Sequence, residues 1–397
     1  MISWPLKTRC PRPIGLDIGH HSIKMIQLAF NAGHTSVFAA RKVRIDPNIN
    51  GDPQARRNFI VSAARSLLEE GGFRGRDVVS CLPTERLKIT SIRLAETEGE
   101  EIEQALKKEV SHRFGLDADN DAVNYMVAGN VRQGDEVKNE LILFAADDQS
   151  IRSHIGLLEE AGLRPVGIDT LPCALFRSFE RSLQRQEDRE RTAVFVDVGS
   201  CFTTVVFSRG PEITFVKQIQ IGGEDFNKEI AARLGVGLNE AEDLRSRLRT
   251  ERSADAVFGA AQMYAPAESS DSPPNQACDA LDKSTRQVMV DAVGSASQKL
   301  ATEISLCFRY YTVTFRGKRV ERAVFSGGEA YERILLNVLR RQLAVDIEVA
   351  QPLRGFDMTN LHFESDKRGL LCEWAVAVGL GLKGSSGAAS QVDYGEA

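Results

Sequence analysis

Two carboxylates in matching surroundings, Asp17 and Asp197, are the residues of this chain best suited to chemistry. Asp17 ends an apolar run carrying Ile14, Leu16 and Ile18. Gly19-His20-His21-Ser22 follows it, and then a second run with Ile23, Met25, Ile26 and Leu28. The pattern is strand, tight turn, strand. A turn of this kind points successive backbone N–H groups into one concavity, and such a nest binds an anion. A carboxylate at the end of the first strand can hold a hydrated divalent cation, and Lys24 on the second strand can reach a phosphate that the cation neutralises. No Gly-Lys-Ser/Thr opens a helix here, so the device is not a Walker loop.

A single Asp-x-Gly turn says little, because an aspartate there commonly stabilises its own turn. The signal is the second copy. Ala193–Phe207 repeats strand, Asp197-Val198-Gly199, a polar turn with Ser200 and Thr203, and strand. Each half of the chain opens with the same device, as expected of a duplicated fold closing around one nucleotide phosphate chain. For Lys24 the plain alternative is an outward strand position; its spacing from Asp17 favours the phosphate. His20 and His21 read as exposed turn histidines rather than ligands, since adjacent side chains rarely converge on one ion and no third ligand is evident.

The totals set the frame. At 397 residues the chain exceeds one ordinary core, and roughly two to four subdomains are expected. With 42% hydrophobic and 26% charged residues it reads as a soluble globular protein. Fifty basic against fifty-five acidic residues argue against nucleic acid as the main partner. The seven cysteines are scattered and form no Cys-x-x-Cys pair, so neither a zinc site nor a disulfide framework is expected. Cys81 and Cys201 read as structural thiols. The N-terminus has no apolar core long enough for a signal peptide, and no run approaches the ~20 apolar residues of a membrane span, which points to the cytoplasm.

Positioning these residues takes a recognisable order of elements. Residues 1–13 read as a flexible lead-in, and 14–83 as a first half with the hairpin, a third strand and a helix over 54–70. Residues 84–180 read as an inserted β-α-β-β-α-β module. Residues 192–382 read as the second half, with helices over 239–249 and 282–314 and a mobile loop at about 250–283. In it a strand runs into Ser326-Gly327-Gly328-Glu329, where glycine lets backbone approach a flat ligand closely. An apolar helix over 374–382 closes the second half by returning to the first, and 383–397 read as a disordered tail. Arg245, Arg247, Arg249 and Arg252 read as a solvated helix face, with a docking patch for an acidic partner as the alternative.

Two Asp-x-Gly hairpins, the strand–Ser-Gly-Gly–helix and the Ala-x-x-Val-Gly-Leu closing helix resemble the actin–Hsp70–sugar kinase superfamily. The inserted module ending Leu157–Asp169, and the run from Ile221-Gly222-Gly223-Glu224-Asp225 through Asn239–Leu244, narrow the resemblance to the PilM family of type IV pilus assembly, related to FtsA. It covers roughly residues 14–382. It implies a duplicated actin/Hsp70-like (ribonuclease H-like) α/β ATPase fold with an inserted small α+β subdomain, binding ATP and Mg²⁺ in a cleft between related halves. On this resemblance the backbone of Gly19, His20, His21 and Ser22 cradles the phosphates and Lys24 contacts them. Asp17 and Asp197 hold Mg²⁺ mostly through water, and Gly199, Ser200 and Thr203 wrap the γ side. Gly327, Gly328 and Glu329 pack against the adenosine, and Glu242 or Arg245 approaches the ribose.

The implied function is an actin-like component of a pilus, competence or secretion platform under the inner membrane. It would be held there through protein partners, dock the N-terminal cytoplasmic peptide of a PilN-like membrane protein, and at most hydrolyse ATP slowly. Three alternatives stand beside it. An FtsA-like division protein would end in a basic amphipathic helix, whereas Ser385–Ala397 is small and acidic. A sugar or metabolite kinase needs an aspartate base at its acceptor hydroxyl, and none is evident. A scaffold that has lost its nucleotide would fit the substitutions seen here: imidazoles at the first turn tip, bulky Cys201-Phe202 at the second, and Glu329 in place of a third glycine.

Overall fold

The computed structural model describes residues 10–31, 34–49, 51–95, 100–133, 135–183, 190–261, 281–315, 319–359 and 371–383. The chain opens with an antiparallel meander, β1 (Cys10–Ile18), β2 (Ser22–Asn31) and β3 (His34–Arg44). Helix α1 (Pro53–Glu70) starts at Asp52, whose carboxylate accepts the N–H groups of Gln54 and Ala55. It leads to β4 (Asp77–Cys81), which lies parallel to β1. Next come β5 (Lys88–Ala95), α2 (Glu100–Phe114), β6 (Ala122–Gln133) and β7 (Glu136–Ala146), which make a separate three-stranded sheet in the order β5-β7-β6. Helix α3 (Asp148–Glu160) then returns the chain to the first sheet, where β8 (Arg164–Asp169) lies parallel to β4.

After α4 (Leu171–Glu180) the plan repeats. The meander β9 (Thr192–Val198), β10 (Thr203–Arg209) and β11 (Glu212–Ile219) is followed by α5 (Gly223–Leu234), α6 (Leu238–Ala261) and α7 (Lys283–Thr314). Then come β12 (Arg322–Ser326), parallel to β9, α8 (Arg333–Gln342), β13 (Asp346–Val349), parallel to β12, and α9 (Ala375–Leu382). The strand orders are β3-β2-β1-β4-β8 and β11-β10-β9-β12-β13. Both are an antiparallel meander extended by two parallel strands at the edge of its first strand. The duplication expected from two hairpins is therefore a duplication of whole sheets. The first strand of each meander is central and almost wholly apolar, with Ile14 and Leu16 in one and Val194, Phe195 and Val196 in the other buried from both faces.

Two helices tie the sheets together. Helix α4, which follows the first sheet in sequence, packs on β9 and β10 of the second, and α9, which ends the second, packs on β1, β2 and β4 of the first. They meet face to face at Gly379, where a Cβ would lie 1.7 Å from the carbonyl oxygen of Ala174. Only a glycine permits that approach. Every described residue of α9 is buried, from Ala375 to Leu382.

Three sequence expectations change. The stretch 84–180 does not form one module: β8 belongs to the first sheet, and the separate sheet ends with β7 at Ala146. Residue pattern showed that a strand was present but not its partner, because parallel pairing joins strands distant in sequence. Residues 10–13, read as part of the lead-in, belong to β1. Pro11 and Pro13 are tolerated because the pairing with β4 begins only at Ile14, and the register with β2 shifts between Pro11 and Ile14. Residues 250–261, read as loop, continue α6, whose Ala, Arg and Glu content favours helix although its apolar periodicity is weak. The remaining loop over 262–280, the segment 1–9 and the tail from 384 lie outside the described residues. Among the described residues no helix is long and apolar enough to cross a membrane.

Candidate functional site

The ends of β1 and β9 face each other across one cleft of about 1270 Å³. Strand pairing builds the two walls alike. In the first hairpin Asp17 stands opposite Lys24, and the Gly19 N–H closes the turn on the Ser22 carbonyl at 3.0 Å. In the second, Asp197 stands opposite Thr204, and the Gly199 N–H closes the turn on the Phe202 carbonyl at 3.0 Å. Asp17, Gly19, His20, His21, Ser22 and Lys24 border the cleft from one side. Asp197, Gly199, Ser200, Gly327, Gly328 and Glu329 border it from the other. Thr203 does not. Strand alternation turns it away, its hydroxyl donates to the Ile221 carbonyl at 2.8 Å, and Thr204 is the threonine that faces the cleft.

The charges on the two walls differ. Lys24 Nζ donates to Asp17 Oδ2 at 2.9 Å, and both residues are 8% exposed. Burial alone would lower the lysine pKa, but the charge and hydrogen bond of Asp17 outweigh it and hold the ammonium above its ordinary range. Asp197 has no such cation on its own hairpin. It accepts a hydrogen bond from Ser326 Oγ at 3.0 Å. Burial and the nearby negative charge of Asp17 push its carboxyl up to about 6, against the weaker opposing pull of Ser326 and Lys24.

The turn tips are also held differently. Arg56 of α1 donates to the carbonyls of Gly19 at 2.9 Å and His20 at 3.1 Å, so a side chain fixes the first tip. The second tip is fixed by backbone. The N–H groups of Gly223 and Glu224, at the start of α5, donate to the carbonyls of Gly199 and Ser200 at 3.0 and 2.8 Å. A Cβ on Gly222 would lie 2.4 Å from the Ser200 carbonyl oxygen, so the contact needs glycine. Sequence reading found neither support: Arg56 lies in an ordinary charged helix, and nothing in Gly222-Gly223 names the tip it grips.

At the far end of the cleft Gly327 adopts a left-handed φ of 92° against the Val198 carbonyl, which carries the chain into the short turn holding Gly328 and Glu329. Glu329 is not a loose carboxylate. Arg245 pairs with it closely, and Arg249 lies 3.5 Å from the same oxygen. Burial opposes the ionised form, but the two guanidinium groups prevail and hold Glu329 below the usual carboxylate range. Arg245 is 4% exposed, lies over the Phe226 ring at 4.6 Å and donates to the Gly223 carbonyl at 2.9 Å. Arg249 donates to the Gly328 carbonyl at 3.0 Å. The expected solvated arginine face is thus corrected at these two positions. A buried acid on another element recruits them, and single-sequence periodicity carries no trace of that.

The turn histidines sit at the mouth. His20 Nδ1 lies 3.9 Å from Glu85, and His21 Nε2 lies 3.5 Å from Glu242 of α6, which also pairs with Arg44 of β3. Burial lowers the pKa of both imidazoles. Glu242, read with Arg245 as a ribose neighbour, borders the cleft and is engaged by residues of the opposite wall. Cys81 is buried, and Cys201 is pushed up to about 12 by burial and by Glu224, so neither is an activated thiol. Among the described residues no three His, Cys, Asp or Glu side chains converge on one ion. The donor set suits a cation that keeps most of its water, and the two backbone turns suit an anion between them.

Twinned sheets, crossed helices and facing hairpins define an actin-like ATPase fold. A family profile described as type IV pilus assembly protein PilM matches residues 15–253, and the chain belongs to that family. Among solved structures, the PilM–PilN type IV pilus biogenesis complex aligns at a TM-score of 0.72 with 21% identity, covering 95% of this chain and 99% of that one. The ethanolamine utilization protein EutJ from Carboxydothermus hydrogenoformans aligns at 0.51 with 13% identity, covering 96% and 92%. At these identities the likeness speaks for the fold.

Proposed function

We propose that the cleft binds ATP with Mg²⁺ and that the nucleotide works as a clamp between the halves of a pilus-assembly protein. The observation that carries this reading is the pair of facing hairpins, one with Asp17 and the other with Asp197, whose glycine turns border a single cleft. Gly19 to Ser22 and Gly199 to Ser200 would hold the phosphate chain from opposite sides, with Lys24 on its charge. Gly327, Gly328 and the Glu329–Arg245–Arg249 cluster would border the adenosine. Bound Mg²⁺ supplies charge neutralisation of the phosphates, and Asp17 and Asp197 would orient its water shell. In this reading residues 14–83 with α3 and β8 form one half, residues 192–382 form the other, and the small sheet β5-β7-β6 is an appended module.

A ligand touching both walls favours the closed arrangement by its differential affinity for that arrangement. Lys24 then exchanges a carboxylate for a phosphate. The crossed pair α4 and α9 is the natural hinge, since each helix packs on the sheet of the other half. Family membership, together with the likeness to a PilM–PilN complex, supports a PilN-like inner-membrane protein as partner, docking through its N-terminal cytoplasmic peptide and holding this chain at the membrane. Calorimetric titration of ATP with and without Mg²⁺ tests the nucleotide reading. Micromolar binding that weakens without the metal is expected; absence of heat in both titrations would overturn it in favour of a nucleotide-free scaffold.

A further inference from the structure

The cleft has a second set of contacts, above the phosphate hairpins, that the nucleotide reading does not use. Glu242, on α6 of the second half, pairs with Arg44 at the end of β3 and lies 3.5 Å from His21 Nε2, both on the first half. One turn earlier on α6, Asn239 Nδ2 donates to Asn48 Oδ1 at 2.7 Å, again across the cleft. Arg44, His21, Asn239 and Glu242 all border the cleft. These contacts are solvated: the Arg44 side chain is 56% exposed and the His21 side chain 44%. Within the second half α6 is anchored by Leu248, which is 1% exposed, and by Arg245. The helix is therefore fixed on one side of the cleft and bonded to the other through polar side chains near its N-terminus.

From this geometry we infer that the start of α6 is a latch on the cleft mouth, with Glu242 as its keeper, and that it sets how fast a nucleotide enters and leaves. This rests on the nucleotide reading for its consequence, but the contacts of the latch are made by the chain itself. A further polar link beside the cleft, Lys42 to Glu373 at 3.5 Å, joins β3 to the turn before α9, which packs on the first sheet. It does not hold α6. An exposed ion pair of this kind is worth little singly, which suits a gate that must open. Removing Glu242 breaks both of its contacts at once and leaves the Asn239–Asn48 bond.

The test joins two readouts. Asn48→Cys and Asn239→Cys are combined and treated with a short bifunctional thiol reagent, with and without Glu242→Gln, in the absence of nucleotide, and the bridged peptide is quantified by mass spectrometry. The latch predicts rapid bridging that slows roughly three- to fivefold with Glu242→Gln. In parallel, release of a fluorescent ATP analogue should speed up by about the same factor in Glu242→Gln, and slow at least tenfold in the bridged protein. Bridging unaffected by Glu242→Gln overturns the latch. So does release unchanged by both treatments. If the wild-type chain binds no nucleotide while bridging still depends on Glu242, the latch stands and the nucleotide reading falls.

Discussion

The two hairpins share a register, yet one carries its own cation and the other does not. Opposite Asp17 stands Lys24, 2.9 Å away; opposite Asp197 stands Thr204. In the first hairpin the carboxylate is paired with an ammonium, whereas the second holds a carboxyl pushed up to about 6 with no cation on its own hairpin. The difference shows which hairpin lacks a cation of its own. A dication with its water shell would complete the side of Asp197, while Lys24 can serve the phosphates from the side of Asp17. The tips differ in the same spirit: a single arginine side chain holds the first, and the backbone at the start of α5 holds the second.

Asp17→Ala should break the comparison most severely. It leaves the Lys24 ammonium buried without its main partner, and thermal or denaturant unfolding should report a loss of about 3–5 kcal/mol. Asp197→Asn should do the reverse. A carboxyl whose folded pKa is raised binds protons more readily in the native state than in the unfolded chain. Wild-type stability therefore falls as pH rises from about 4 through about 6. The asparagine variant lacks this loss and should be the more stable protein above pH 7, by about 2–3 kcal/mol, with the gap closing below pH 4. A gap independent of pH would contradict this account of Asp197. Arg56→Ala should have the smallest effect: about 1 kcal/mol in stability and roughly a fivefold loss of ATP affinity. Loosening only the first tip, it should leave the second hairpin's amide hydrogen exchange unchanged.

Much of this fold could be read from residues alone, because its signature is local. Strand, Asp-x-Gly and strand occur within fifteen residues and occur twice, and turn chemistry fixes such hairpins without distant help. What stayed hidden depends on partners far along the chain. β8 reads as a strand, but its pairing with β4 spans α2, α3 and a whole separate sheet. Arg245 and Arg249 read as surface because their acid, Glu329, lies on another element. Thr203 and Thr204 differ by one position in a strand, and that one position decides which faces the cleft. Glu242 is one of several acids on α6, and only the approach of the two walls in the folded chain brings it to Arg44 and His21.

The most direct measurement is ATP affinity in the presence of Mg²⁺, compared by calorimetry among the wild-type chain, Lys24→Met and Asp197→Asn. If both walls grip one phosphate chain, each variant binds at least tenfold more weakly, and only the wild type and Lys24→Met remain strongly dependent on the metal. Wild-type affinity in both variants would contradict a nucleotide held between the two hairpins.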